Sequence, residues 1–178
     1  MTHLARVSHH LRRSLHPAWL ALILMVACGP QPTPSGSQAT TPAGLSPPPP
    51  ITATLPDGSV IHLELALTPD EISRGLMFRP SLAADRGMLF LFTETRHPTF
   101  WMKDTRIPLD IVFLDESGTV VNVEHDAPPC AAEPCPRYTS RLPSRAVLEL
   151  AAGVAARRAL VEGSQIRFAG VPGYPPGG

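Results

Sequence analysis

Ile51-Thr52-Ala53-Thr54-Leu55-Pro56-Asp57-Gly58-Ser59-Val60-Ile61-His62-Leu63-Glu64-Leu65-Ala66-Leu67 is the stretch that decides the fold class. Both of its ends are β-type runs. Pro56-Asp57-Gly58 between them is a turn, because proline presets φ and glycine accepts a positive φ. The two runs are expected to pair as a hairpin. In the second run Ile61, Leu63, Leu65 and Leu67 share one face while His62 and Glu64 point the other way, which is the period of a half-buried strand.

Moving toward the C-terminus, Thr68-Pro69-Asp70-Glu71 is a helix start: a capping threonine, proline at the first helical position and an acid three residues after the cap. Gly75 is expected to stop this short helix in a left-handed conformation. Asp85-Arg86-Gly87 reads as a turn before a buried-type strand, Met88 to Phe92. Thr99 to Met102 is a further apolar stretch. Ile111 to Leu114 and Thr119 to Val123 flank Asp115-Glu116-Ser117-Gly118 as a second hairpin. Ala146 to Leu150 reads as a strand, Gly153 to Glu162 as a short helix ended by Gly163, and Ile166 to Phe168 as a closing strand. Many short strands with two short helices predict an α+β domain, mainly β, built on a bent antiparallel sheet or half-closed barrel.

Toward the N-terminus the character changes. Arg6, Arg12 and Arg13 precede an apolar run from Trp19 to Ala27, and Cys28 follows directly. Basic, apolar, then small residues at a cut is the order of a signal peptide. The apolar run is shorter than the roughly 20 residues that a bilayer-spanning helix needs. The small residue before Cys28 resembles the lipobox of bacterial lipoproteins, which implies cleavage before Cys28, lipidation of its thiol and a membrane anchor. Three of the 15 basic residues would leave with the segment and all 15 acidic ones would stay, for a net charge of about −3. With no basic block remaining, nucleic acid is not an expected partner. Residues 28–50 carry Pro, Ser, Thr, Gly and Gln without charge and end in Pro47-Pro48-Pro49-Pro50, the composition of an extended tether. The expected boundaries are therefore 1–27 signal peptide, 28–50 lipidated cysteine and tether, 51–171 one globular domain, and 172–178 a flexible Pro/Gly tail.

Three groups of residues could carry chemistry. Cys130 and Cys135 are close in sequence, and outside the cytoplasm such cysteines usually pair. His125 and Asp126 make zinc a rival, but one cysteine pair at this spacing is a weak zinc signal. The expected state is a disulfide, with no metal and no cofactor. Phe100-Trp101-Met102-Lys103-Asp104-Thr105 places large apolar residues against a cation, an acid and a hydroxyl. It reads as a pocket with an aromatic wall and polar floor, or as a core strand running into a turn whose polar side chains bond their own backbone. Arg74 and Arg79 flank the end of the first helix with guanidinium forks suited to carboxylates and phosphates, or to local acids. Asp110, between Leu109 and Ile111, has the setting of a buried, paired carboxylate. No nucleophile elbow, phosphate loop or H-E-x-x-H motif is present.

Several segments occur together in one order: Arg74-Gly75-Leu76-Met77-Phe78-Arg79, Gly87-Met88-Leu89-Phe90, Phe100 to Thr105 with Ile107-Pro108-Leu109-Asp110-Ile111, and Val147-Leu148-Glu149-Leu150-Ala151-Ala152-Gly153. In this the chain resembles the family catalogued as domain of unknown function 192, over residues 51–170. The resemblance implies one compact β-rich domain, often exported, and implies no reaction. Asp104 stands where the family more commonly has asparagine, which tells against an amide-dependent role there and against this carboxylate as a general base. The sequence thus leads to an exported, lipid-anchored protein on the extracytoplasmic side of a bacterial cell envelope. The domain would bind a small anionic or carbohydrate ligand through Arg74, Arg79, Trp101, Lys103, Asp104, Thr105 and Asp110. The alternative is an envelope hydrolase using Asp104 or Asp110 with Lys103. No catalytic residue is assigned, and the oligomeric state is open.

Overall fold

A computed structural model describes residues 48–175. The signal peptide, the lipidation of Cys28 and most of the tether fall outside the described residues. Nine strands and two short helices follow one another: β1 (Thr52–Thr54), β2 (Val60–Ala66), α1 (Pro69–Arg74), β3 (Arg86–Arg96), β4 (Thr99–Trp101), β5 (Leu109–Leu114), β6 (Val120–Ala127), β7 (Arg137–Thr139), β8 (Ser144–Ala151), α2 (Val154–Arg157) and β9 (Arg167–Ala169). Seven strands form one sheet in the order β6-β5-β8-β3-β2-β1-β9, and β4 pairs separately with β7.

The hairpin expected from the opening stretch is present, with Thr52 opposite His62 and Thr54 opposite Val60. The sheet curls until its edges approach. Where the chain enters β6 and β9, Val120 N–H donates to Ser164 O at 2.8 Å and Ile166 N–H to Gly118 O at 3.0 Å. The result is a half-barrel of mainly β structure.

Five details differ from the sequence reading. The sheet is mixed, because β2 and β3 run parallel; α1 lies in the crossover between them, and a crossover reverses the direction that a tight turn would give. β3 starts at Arg86, inside the expected turn, and runs on to Arg96. α2 spans only Val154–Arg157 instead of reaching Glu162. Ala159, at φ 52°, turns the chain there so that Leu160 can be buried. Gly75 ends α1 with φ 44° and ψ −131°, which is not the left-handed helical conformation. The chain also stays packed beyond residue 171: Tyr174 is buried against Phe168, and its hydroxyl donates to Asp115 O at 2.7 Å.

The sheet has two covered faces. On the first, Ala53, Ile61, Leu89, Val112, Leu148 and Leu150 pack beneath α2 and Tyr174. On the second, Phe90, Phe92, Ile111, Phe113 and Val147 pack with Leu76, Met102 and the inner side of the β4–β7 pair. Strands β5 and β8 are buried on both sides for this reason, as expected of central strands covered twice. Each well-buried large aliphatic or aromatic side chain of these two layers contributes about 1.5–3 kcal/mol.

Candidate functional site

The second face is not fully covered. α1 is fixed at its start by a complete capping box: Glu71 N–H donates to Thr68 Oγ1 at 3.3 Å, and Thr68 N–H donates to Glu71 Oε2 at 2.9 Å. Leu67 N–H adds a second donor to the same carboxylate, which holds Glu71 below the usual carboxylate range. So anchored, α1 forms one bank of a groove whose opposite bank is the end of β3 and β4. Ile72 and Ser73 face Leu91, Phe92 and Arg96 across a space of about 420 Å³. A second section of about 380 Å³ continues past Phe92 and Arg96 to Phe100 and Trp101. Arg96 lies over the Phe92 ring at 4.0 Å. The groove then narrows to a pit of about 30 Å³ beneath Gly75, Leu76, Phe90 and Phe100.

Glu149 is at the wall of this pit. It is 5% exposed, and its Oε2 has no hydrogen-bond partner among the described residues. Burial pushes its carboxyl up to about 8, because an ion without a partner is expensive to hold in an apolar setting. Gly75 allows this depth: a Cβ there would lie 3.1 Å from the Phe90 ring and 3.9 Å from Glu149 Oε2. Phe90 and Phe100 meet edge to face at 4.9 Å and shape the walls.

Of the residues singled out from the sequence, Arg74, Trp101 and Thr105 line the pit together. The others are elsewhere. Arg79 makes a two-pronged ion pair with Glu64 on β2, at 2.5 and 2.6 Å, and this lowers the Glu64 carboxyl. Lys103 pairs with Glu133 at 3.2 Å and sits 5.3 Å from the Trp101 ring. Asp104 has φ 54°, and its carbonyl accepts from Phe78 N–H at 2.9 Å. Asparagine, aspartate and glycine are the residues that tolerate such a backbone, so the position is explained by the turn. Asp110 is fully enclosed, accepting from Asp126 N–H at 2.9 Å and Ala155 N–H at 2.7 Å. Its oxygens tie β6 and α2 to β5 and face no groove.

Cys130 and Cys135 form a disulfide with Cα atoms 5.5 Å apart. The ring precedes β7, and Cys130 N–H donates to Met102 O at 3.2 Å. The ring thus lies next to the end of β4, with Cys130 packed on the second face. Among the described residues no three His, Cys, Asp or Glu side chains converge as a metal set would.

The fold and site define a small curled-sheet domain with a groove over one face and an unpartnered acid at its deepest point. The family described as uncharacterized ACR, domain of unknown function 192, matches residues 52–168. The chain belongs to that family. Two solved structures are similar to it. One is a candidate transcription regulator from Sinorhizobium meliloti 1021, 36% identical, with a TM-score of 0.61, covering 68% of this chain and 93% of its own. The other is a protein of unknown function from Novosphingobium aromaticivorans DSM 12444, 38% identical, with a TM-score of 0.60, covering 66% and 83%. A search of curated proteins found no match.

Glu149 is the residue that sequence reasoning missed. It appears in the Val147 to Gly153 segment only as part of a family motif. The available signal was a lone acid inside a continuous apolar run: a strand covered on both faces has no wet side to which Glu149 could turn.

Proposed function

We propose that this protein is an exported, lipid-anchored module of the cell envelope that binds a small organic molecule in the groove between α1 and β3–β4. One observation carries the reading: an open groove, apolar along its first section, ends in a pit where a buried carboxyl has no protein partner. Buried polar groups in folded domains are nearly always hydrogen-bonded. An apolar recess with a few convergent polar groups is the usual form of a small-molecule site. The ligand's body would lie along Ile72, Phe92 and Phe100, with its polar end toward Glu149. The engagement of Arg79 by Glu64 leaves Arg74 at the pit and Arg96 along the groove as the guanidinium groups beside the ligand. Lys103, Asp104 and Asp110 do not meet at one point, so hydrolysis through them has no support in the geometry.

Two measurements test this reading. Ligand-observed and methyl-detected NMR with small saccharides, alkyl alcohols, amines and carboxylates should shift the Ile72 methyl resonances, and Trp101→Ala should weaken that response. A library that leaves Ile72 and its neighbours unmoved would remove the groove as a binding site. For the anchor, motivated by the basic–apolar–Cys28 order, Cys28→Ser should release the protein from the membrane fraction with its melting temperature unchanged. Retention of the variant in that fraction would show that lipid on Cys28 is not the tether.

A further inference from the structure

We propose that the pit receives a primary ammonium group, seated on the Glu149 carboxylate while the rest of the ligand lies in the groove; this rests on the groove being a binding site. The argument starts from pairing. Glu64 has Arg79, Glu133 has Lys103, Asp57 has Arg158 and Glu162 has Arg141. Asp110 has two backbone amides. Among the described residues Glu149 is the acid that is both buried and without a partner for one oxygen. Its missing complement is a cation with hydrogens to donate.

Size selects which cation. About 30 Å³ admits a group not much larger than one water molecule. An ammonium fits, whereas a planar guanidinium or a quaternary ammonium does not. The walls leave the carboxyl as the polar anchor, since Phe90 and Phe100 line the pit with uncharged rings. Charged neighbours are few. Among the pit-lining residues, α1 contributes Arg74, which is exposed at the rim, while β3, β4 and the turn at Thr105 contribute no charge. Ile111, opposite Glu149 on β5, is apolar too.

The seating step is a proton exchange. Below about pH 8 the carboxyl in the free protein carries a proton. When R–NH3+ enters, that proton leaves to solvent and an N–H···O ion pair forms. Binding therefore releases one proton per ligand, and affinity should rise about tenfold per pH unit from about pH 5.5 to 7.5 before levelling off.

Isothermal titration with three isosteric probes, n-butylammonium, 1-butanol and butyrate, tests this. The expected result is saturable n-butylammonium binding with that pH slope, and proton release seen as a dependence on buffer ionisation enthalpy. Glu149→Gln should abolish it while staying folded, with a melting temperature no lower than the parent's, and Arg74→Ala should tighten it severalfold by removing a like charge. Tighter binding of 1-butanol, or of butyrate, would overturn the ammonium assignment in favour of a neutral or anionic head group. So would n-butylammonium binding that Glu149→Gln leaves intact, or that Arg74→Ala abolishes. If none of the three binds but other fragments move Ile72, the pit proposal fails and the groove stands. If nothing moves Ile72, both fail.

Discussion

Asp110 and Glu149 are both buried carboxyls on adjacent strands of one sheet, yet they have opposite fates. Asp110 belongs to the first face, where α2 brings the Ala155 amide and the bend at Asp126 brings another. Glu149 belongs to the second face, where α1, Phe90 and Phe100 close in without a donor to its Oε2. The first is a tie within the fold. The second keeps one oxygen unpartnered at the wall of the pit. Burial alone does not distinguish a structural acid from a functional candidate; the supply of donors does.

The largest test of the contrast is Asp110→Ala. It leaves two enclosed amides without an acceptor, and it should cost about 3–5 kcal/mol in urea unfolding. A loss below about 1 kcal/mol would mean that the amides find other partners and that the tie is unimportant.

Glu149 should behave in reverse. Its folded carboxyl is raised from 4.5 to about 8. The unfolded chain therefore ionises first as pH rises, and stability falls through that window. Unfolding free energy should drop by about 2–3 kcal/mol between about pH 5 and pH 7. The acids whose carboxyls are lowered, such as Glu64 and Glu71, contribute the opposite slope only at more acid pH. Glu149→Gln should flatten the profile and raise stability at neutral pH. An unchanged slope in that variant would place the titrating group elsewhere.

Reduction of the Cys130–Cys135 ring should cost at most about 2 kcal/mol, because so short a loop removes little entropy from the unfolded chain. A collapse of the melting temperature would show that the β4–β7 wall is part of the core. Thr68→Ala should cost about 1 kcal/mol through the lost cap. It should also alter NMR signals at Ile72 before those at Val112, since it loosens the groove bank and not the first face. Equal perturbation of both would mean that α1 is not an independent bank.

Local chemistry made much of this legible. Pro56-Asp57-Gly58 and Asp115 to Gly118 place their turns, and Thr68 to Glu71 its capping box, within a few residues of sequence. β7 was missed because Arg137-Tyr138-Thr139 is three residues long and has no pattern of its own; its partner β4 is more than thirty residues away. The length of α2 was overread because helix propensity does not record that Leu160 must turn inward. Within the candidate site, Arg74, Trp101 and Thr105 could be chosen by residue type. Whether Arg79 was free depended on Glu64, which lies fifteen residues earlier on another strand.

The sequence by itself determined the class of domain, the positions of most strands, the capped helix and the pairing of two near cysteines, because each rests on interactions between near neighbours. Only the tertiary structure decided that β2 and β3 run parallel, that the sheet curls closed past Gly118, and which face each acid occupies. Those outcomes depend on contacts between distant segments. A carboxyl's partners, and so its charge and role, come from whatever the fold packs against it.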